Sequence, residues 1–149
     1  MVKSIACARD KRVDIISTID PVKEIATNIG WDGKKDVKSR KFLSDLKDAL
    51  TEWKDLPHQW CITKIEELSY NTDLLFIDCR EPQEIQRFVD EYGALTMIVQ
   101  RGEYTPIGNH ADDNVDNYQY DIIIDNNRGL EELLQEATIF VETFIMEEE

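Results

Sequence analysis

The sequence predicts an α/β fold, in which a parallel sheet carries helices on both faces. Four short apolar segments rich in β-branched residues alternate with longer amphipathic segments along the chain. This alternation is typical of parallel strands joined by crossover helices. The chain has 149 residues, 42% of them apolar, and shows no repeat or low-complexity linker. We therefore predict a single domain over residues 1–149.

The first part of the chain predicts a strand followed by three helices. Residues Met1–Lys11 fit a short helix, although the apolar run Ser4–Ala8 also fits a strand. Val13–Thr18 (VDIIST) predicts a buried strand, and Asp20 before Pro21 predicts a helix with Asp20 as its N-cap. The apolar faces of the three helices then lie within Val22–Ile29, Phe42–Trp53 and Cys61–Leu68.

The second part predicts three more strands and two helices. Leu74–Cys79 (LLFIDC) and Leu95–Val99 (LTMIV) are continuous apolar runs, the pattern of parallel strands that are covered on both faces. Pro82 opens the helix between these two strands. The remaining elements are a polar loop or lid over Gly102–Asn117, a strand over Tyr120–Ile124 and a final helix with its apolar face from Leu130 to Ile145.

Charge and cysteine content argue against several classes of function. The chain has 31 acidic and 17 basic residues, for a formal charge of −14. Nucleic-acid and membrane surfaces are basic, so we expect neither partner. The three cysteines lack CxxC spacing, which argues against a disulfide framework or a zinc site. Without a membrane-length apolar run or an apolar signal core, we expect a cytoplasmic protein.

Asp78 and Arg80 lie where the strand Leu74–Cys79 ends. Ligands bind at the carboxyl ends of the strands in open α/β sheets. A carboxylate there can hold a metal ion or a water molecule, and an arginine can clamp a phosphate through two N–H groups. The alternative is an ion pair at the strand end, with Glu81 capping the next helix. The residues alone favour neither interpretation.

Basic residues gather around the first predicted helix and the polar loop Gly30–Lys38. Such a group can neutralise an anionic ligand, although a solvated loop is the commoner outcome. Trp31 stands between two glycines, where it could pack or offer a stacking platform. The basic residues are Lys23, Lys34, Lys35, Lys38 and Arg40, with Asp36 among them.

Two other features carry weaker signals. Arg101 follows the strand LTMIVQ and could stabilise charge on a transferred phosphoryl group. His58 and His110 have no metal-ligand spacing between them, so we expect two surface histidines.

Several segments follow one another in an order that a known enzyme family shares. They are ISTIDPVKEIA, GWDGKKDVKSRKFLSDLK, LLFIDCREPQEI, IVQR, NHADDN and YDIIIDNNRGLEELL. The order resembles the phage-type deoxynucleoside monophosphate kinases and related P-loop nucleotide kinases. The resemblance covers about Val13–Ile145, and the last segment is also similar to the ending of dephospho-CoA kinases.

The resemblance implies a P-loop kinase-like fold and a phosphoryl transfer from ATP, with Mg2+, to a (deoxy)nucleoside monophosphate. Lys23, Asp36 and Arg40 would then face the acceptor nucleotide. Asp78 would lie at the magnesium-binding and catalytic position, with Arg80 on phosphate.

The resemblance also assigns residues on the donor side. Arg101 would match the lid arginine of the catalytic site. Asn126 or Asn127 would match the asparagine near the ATP base.

The chain departs from this family in its first residues. None of the six glycines begins a GxxxxGK[ST] loop, which supplies the N–H groups and the lysine that hold ATP phosphates. Only Met1–Arg12 precede the segment VDIIST, where the family has a strand, the glycine loop and a helix. Relative to the family the chain is therefore truncated at the N-terminus, and we expect weak or no ATP binding.

The missing strand lies in the middle of the family's sheet, so its absence would leave strand edges unpaired. Unpaired edges favour association, and we expect a homo-oligomer, an exchanged element, or Met1–Ala8 filling the gap as a strand. Two further functions stay open: a non-catalytic nucleotide-binding or protein-interaction module, and a dephospho-CoA kinase-like protein.

Overall fold

A computed structural model describes residues 1–102 and 115–145 of the chain. Within these residues it has six α-helices and four short strands, so the predicted mixture of helices and parallel strands is confirmed, while the strands lie in two small sheets rather than one. The chain forms two compact units. The central unit is Asp14–Cys79, and the terminal unit combines Met1–Val13 with Arg80–Glu149.

Most predicted elements are present, with ends that shift by up to four residues. The N-terminal segment is helical, so the alternative of a strand there is wrong. A 3-10 turn, Val115–Asn117, precedes the last strand. The elements are α1 Val2–Cys7, β1 Val13–Ser17, α2 Asp20–Asn28, α3 Val37–Lys54, α4 Leu56–Leu68, β2 Leu74–Asp78, α5 Pro82–Tyr92, β3 Met97–Gln100, β4 Ile122–Asp125 and α6 Leu130–Ile145.

In the central unit, β1 and β2 pair in parallel, and their carboxyl ends are tied together. The Thr18 N–H donates to the Asp78 carbonyl at 3.2 Å, and Ser17 Oγ donates to the same oxygen at 3.0 Å. Helix α2 packs on α3 and α4, and α4 packs on β2. Fully buried apolar side chains of this unit include Val22, Ala26 and Cys61.

The start of α2 differs from the prediction. Ile19 is the N-cap, and Asp20 is the first helical residue. The Asp20 carboxylate instead accepts the Ser17 N–H at 2.8 Å, which ties the helix start to the end of β1. The assignment of Asp20 as N-cap is therefore wrong, although Pro21 does lie in the first turn.

In the terminal unit, β3 and β4 are parallel, with Met97 opposite Ile122 and Gln100 opposite Asp125. Helix α1 packs on α6, and Arg9 forms an ion pair with Glu142 at 2.9 Å. The buried apolar side chains of the terminal unit include Ala6, Ile85, Phe88, Phe140 and Val141.

The strands are less buried than their sequences predict. Ile15 is 54% exposed, Val99 51% and Ile123 61%, so the prediction of fully buried strands is wrong. In the described residues the strands form two separate two-stranded sheets. Most of the predicted loop Gly102–Asn117, including the segment NHADDN, lies outside the described residues.

None of the helices in the described residues is both long and apolar enough to cross a membrane.

Candidate functional site

The loop that joins α2 to α3 has a defined conformation. The Trp31 N–H donates to the Ala26 carbonyl at 2.8 Å, which turns the chain away from the end of α2. Gly30 and Gly33 have φ values of 105° and 82°, a region that side chains other than glycine rarely adopt. The Lys34 N–H donates to the Asp32 carboxylate at 3.1 Å and closes a local turn. The sequence Gly-Trp-Asp-Gly therefore fixes the path of the chain into α3.

Helix α3 begins with a side-chain cap. The Asp36 carboxylate accepts the Ser39 N–H at 2.7 Å. Val37 and Lys38 are the first two helical residues, and the N–H groups of a first turn have no acceptor inside their own helix. The N-terminus of this 18-residue helix carries a partial positive charge. It can therefore attract an anion beside the Asp36 cap.

A cavity of about 480 Å³ lies between this loop and the first turns of α3. We call it the loop cavity. It combines two lysines with an indole and a phenyl ring, of which Phe42 is 36% exposed. It is lined by Ile29, Gly30, Trp31, Asp32, Lys34, Asp36, Lys38, Ser39 and Phe42.

Two carboxylates balance the charge of the two lysines. The Lys34 ammonium donates a hydrogen bond to the Asp32 carboxylate, with Nζ 2.5 Å from Oδ2. This side-chain hydrogen bond lowers the pKa of Asp32. The backbone N–H of Ser39 lowers the pKa of Asp36. Both carboxylates are therefore charged at neutral pH, and an anionic ligand has to compete with Asp32 for Lys34.

The Trp31 indole has its polar edge enclosed in the protein. Its Nε1 atom is enclosed and has no hydrogen-bond acceptor among the described residues. Trp31 is half-buried, so part of its surface is accessible from the loop cavity that it lines. A half-buried indole that lines a cavity can offer a face to a planar ligand.

The predicted acceptor residues are only partly brought together. Asp36 lines the loop cavity, but the carboxylate is engaged as the helix cap. Lys23 lies on the exposed side of α2, with Nζ 4.0 Å from Asp20. Arg40 is one turn into α3, where Nε donates to the Lys35 carbonyl at 3.2 Å. Neither Lys23 nor Arg40 lines the cavity, so their contact with a nucleotide stays a prediction.

Asp78 is the last residue of β2, as predicted, and its side chain is exposed. Its main-chain carbonyl, rather than its carboxylate, joins the two strand ends. Among residues 1–102 and 115–145, no three acidic, histidine or cysteine side chains come together as metal ligands. Arg80 is exposed and is the first residue of the second segment of the terminal unit.

The residues that the resemblance assigns to the ATP side, Arg101, Asn126 and Asn127, follow the carboxyl ends of β3 and β4. The Asn126 N–H donates to the Gln100 carbonyl at 2.8 Å, and the Gly102 N–H donates to the Asn127 side-chain oxygen. Asn127 Nδ2 also donates to Asp125 at 2.7 Å. Arg101 is exposed beside this network. The Asn127 carboxamide therefore joins two strand ends, and its role toward a base stays a prediction.

Sequence reasoning missed part of the loop cavity. Phe42 was assigned only to a helix face, and Asp32 and Ser39 received no role. The glycines around Trp31 were the available signal. The prediction of a surface His58 is wrong, since this side chain is only 4% exposed, and His110 lies outside the described residues.

Comparison with known protein families, with curated protein sequences and with solved structures finds no match for this chain.

Proposed function

We propose that this chain is a nucleotide-kinase-like protein that binds a nucleoside monophosphate in the loop cavity. One observation carries the proposal: the cavity places Lys34, Lys38 and the N-terminus of α3 beside Trp31 and Phe42. A nucleoside monophosphate has the complementary parts, because an anionic phosphate and a planar base are joined by a short sugar. Cavities of several hundred Å³ are typical of sites for ligands of this size.

The phosphate fits the end of the cavity formed by α3. Helix N-termini bind phosphate through free N–H groups and the helix dipole. Lys38 adds a positive charge in the first turn, and Lys34 adds another from the loop. Lys35 and Arg40 lie close by in the chain and raise the local positive potential in an otherwise acidic protein.

The base fits the aromatic side of the cavity. Stacking of a base on an aromatic ring contributes about 1–3 kcal/mol to binding. Trp31 supplies a half-buried ring, and Phe42 supplies a second, partly exposed ring on α3. Every base can stack on an aromatic ring, so this arrangement supports binding of nucleotides in general and does not select one base.

The P-loop kinase-like fold remains part of the proposal. The order of the sequence segments and the parallel pairing within both sheets support it. Asp78 at the end of β2 could join one carboxylate to Mg2+, which often takes only one or two carboxylates beside phosphate oxygens.

The sequence lacks the loop that holds ATP in the P-loop kinases. The sequence has no GxxxxGK[ST] loop, which would hold the β- and γ-phosphates of ATP through its N–H groups and its lysine. We therefore propose nucleotide binding for this chain and derive no phosphoryl-transfer step through ATP.

Calorimetry with deoxynucleoside monophosphates, ribonucleotides and dephospho-CoA tests the proposal. We expect one or more monophosphates to bind more tightly than the matching nucleoside or inorganic phosphate. Lys38→Ala should weaken binding about ten- to a hundredfold, the effect of losing a charge-assisted hydrogen bond.

Lys3→Ala is the matched control, because it removes the same charge from an exposed side chain on α1. The proposal is wrong if no compound binds. It is also wrong if the two lysine variants weaken binding equally, which would indicate only a long-range effect of charge.

A further inference from the structure

A second cavity, of about 400 Å³, lies in the groove between α2 and α4. Its floor is apolar, with Ile25 from α2 and Leu56 and Trp60 from α4. Its rim is polar and exposed, with Glu24 and Asn28 on one side and Gln59 and Thr63 on the other. The groove shares no lining residue with the loop cavity.

The rim of this groove offers hydrogen-bond acceptors. The side chains of Glu24, Asn28 and Gln59 form no hydrogen bond or ion pair with other described residues, and each has at least one acceptor oxygen. Glu24 is the one charged residue among those that line the groove. The groove therefore favours a cation with several donors.

Trp60 provides an aromatic surface within the same groove. The ring already makes one cation–π contact, because Lys64 Nζ lies 5.8 Å from its centroid. The Lys64 ammonium is also paired with Glu67 at 2.5 Å, so its charge is compensated locally. An indole of this kind can bind a second, planar cation by stacking.

We infer that this groove binds the guanidinium group of an arginine from a partner protein. A guanidinium is planar, so it can stack on Trp60, and its fork of N–H groups matches the carboxylate of Glu24 in a bidentate pair. Its remaining N–H groups can donate to the side-chain oxygens of Asn28 and Gln59. A lysine ammonium has neither the plane nor the fork, so it fits the groove less well.

Charge and shape favour an arginine on a protein segment. The net charge of −14 attracts basic segments and speeds their encounter with the chain. The rim residues are all exposed, so the groove is open and can admit a continuous segment. The apolar floor, including Ile25 and Leu56, can cover the residues that flank the arginine.

The test uses capped Ala-Arg-Ala peptides and 15N-labelled protein. The chain has three tryptophans, so their indole N–H signals can be assigned with single Trp→Phe variants. We expect a saturable shift of the Trp60 signal with the arginine peptide. The peptides with citrulline or lysine in place of arginine should bind at least about tenfold more weakly, because citrulline lacks the charge and lysine lacks the planar fork.

Glu24→Gln should weaken binding of the arginine peptide by about tenfold or more. Glu52→Gln, an exposed acid on α3 outside the groove, should leave it unchanged. The inference is overturned if no saturable shift appears in the millimolar range, if citrulline or lysine binds as well as arginine, or if both glutamate variants behave alike. Loss of nucleotide binding in Lys38→Ala would not affect any of these outcomes.

Discussion

Thr96 and Asp121 join the starts of β3 and β4 through three hydrogen bonds. The Thr96 N–H and Oγ1 donate to one Asp121 carboxylate oxygen at 2.9 and 2.7 Å, and the Asp121 N–H donates to Thr96 Oγ1 at 3.0 Å. Thr96 is buried, with 7% of its surface exposed. The pair lies one residue before the first ladder position, Met97 opposite Ile122. It therefore fixes the register of the sheet.

Thr96→Val should destabilise the protein by about 1–3 kcal/mol, because it keeps the shape but removes a hydroxyl that both donates and accepts. Urea unfolding measures this loss. Thr51→Val is the control, since Thr51 is exposed on α3 and should change stability by less than about 0.5 kcal/mol. Equal stabilities of the two variants would show that the hydrogen bonds of Thr96 do not stabilise the protein.

The same pair predicts a dependence of stability on pH. The backbone N–H of Thr96 lowers the pKa of Asp121 below its unfolded value of about 3.9. A lowered folded pKa adds stability above the unfolded pKa, and this stability is lost as the pH falls through the folded pKa. Asp121→Asn should therefore flatten the decline of unfolding free energy below about pH 4. An unchanged decline would contradict the assignment.

Asp36 permits a test that separates helix capping from charge. Its carboxylate caps α3 through the Ser39 N–H and also lines the loop cavity. Asp36→Asn should keep most of the cap, and Asp36→Ala should remove it and lower the melting temperature further. The Asn variant should bind a monophosphate a few-fold more tightly, because a negative charge beside the phosphate is removed. Calorimetry showing weaker binding by Asp36→Asn would instead support direct contact of the carboxylate with the nucleotide.

Asp10 follows α1 in the left-handed conformation, with φ of 59°. The Lys11 N–H donates to the Ala6 carbonyl at 3.0 Å, the arrangement that usually has glycine at this position. Asp10→Gly should therefore stabilise the protein by about 0.5–1 kcal/mol, and Asp10→Ala should destabilise it. Thermal unfolding of the two variants measures the difference. A more stable Ala variant would contradict the observed backbone conformation.

Local sequence signals predicted the elements well because each element has its own pattern. Pro21 and Pro82 lie in the first turns of α2 and α5, and the apolar runs of β2 and β3 appear as strands. Burial was predicted less well. An apolar run such as LLFID favours a covered strand, but cover depends on neighbours that are distant in sequence, and β2 has no fully buried residue.

The candidate site was predictable only in part for the same reason. The basic cluster was visible in the sequence, yet only the fold selects Lys34 and Lys38 for the cavity and leaves Lys23 outside it. The role of Thr96 with Asp121 had no local signal, because the two residues are 25 positions apart.

The exposed strands predict that the protein associates with itself. In the described residues β3 and β4 pair only with each other, and Val99 and Ile123 are more than half exposed. No residue of β3 is charged or proline, although natural edge strands commonly carry such residues to prevent pairing. The charge of −14 opposes contact between copies, so salt should promote association by screening this repulsion.

Light scattering should show a mass that rises with protein and salt concentration. Val99→Lys should reduce this rise, and Tyr70→Lys, at an 89% exposed position outside the strands, should not. A monomer at every concentration, or equal effects of the two lysines, would exclude β3 as the contact.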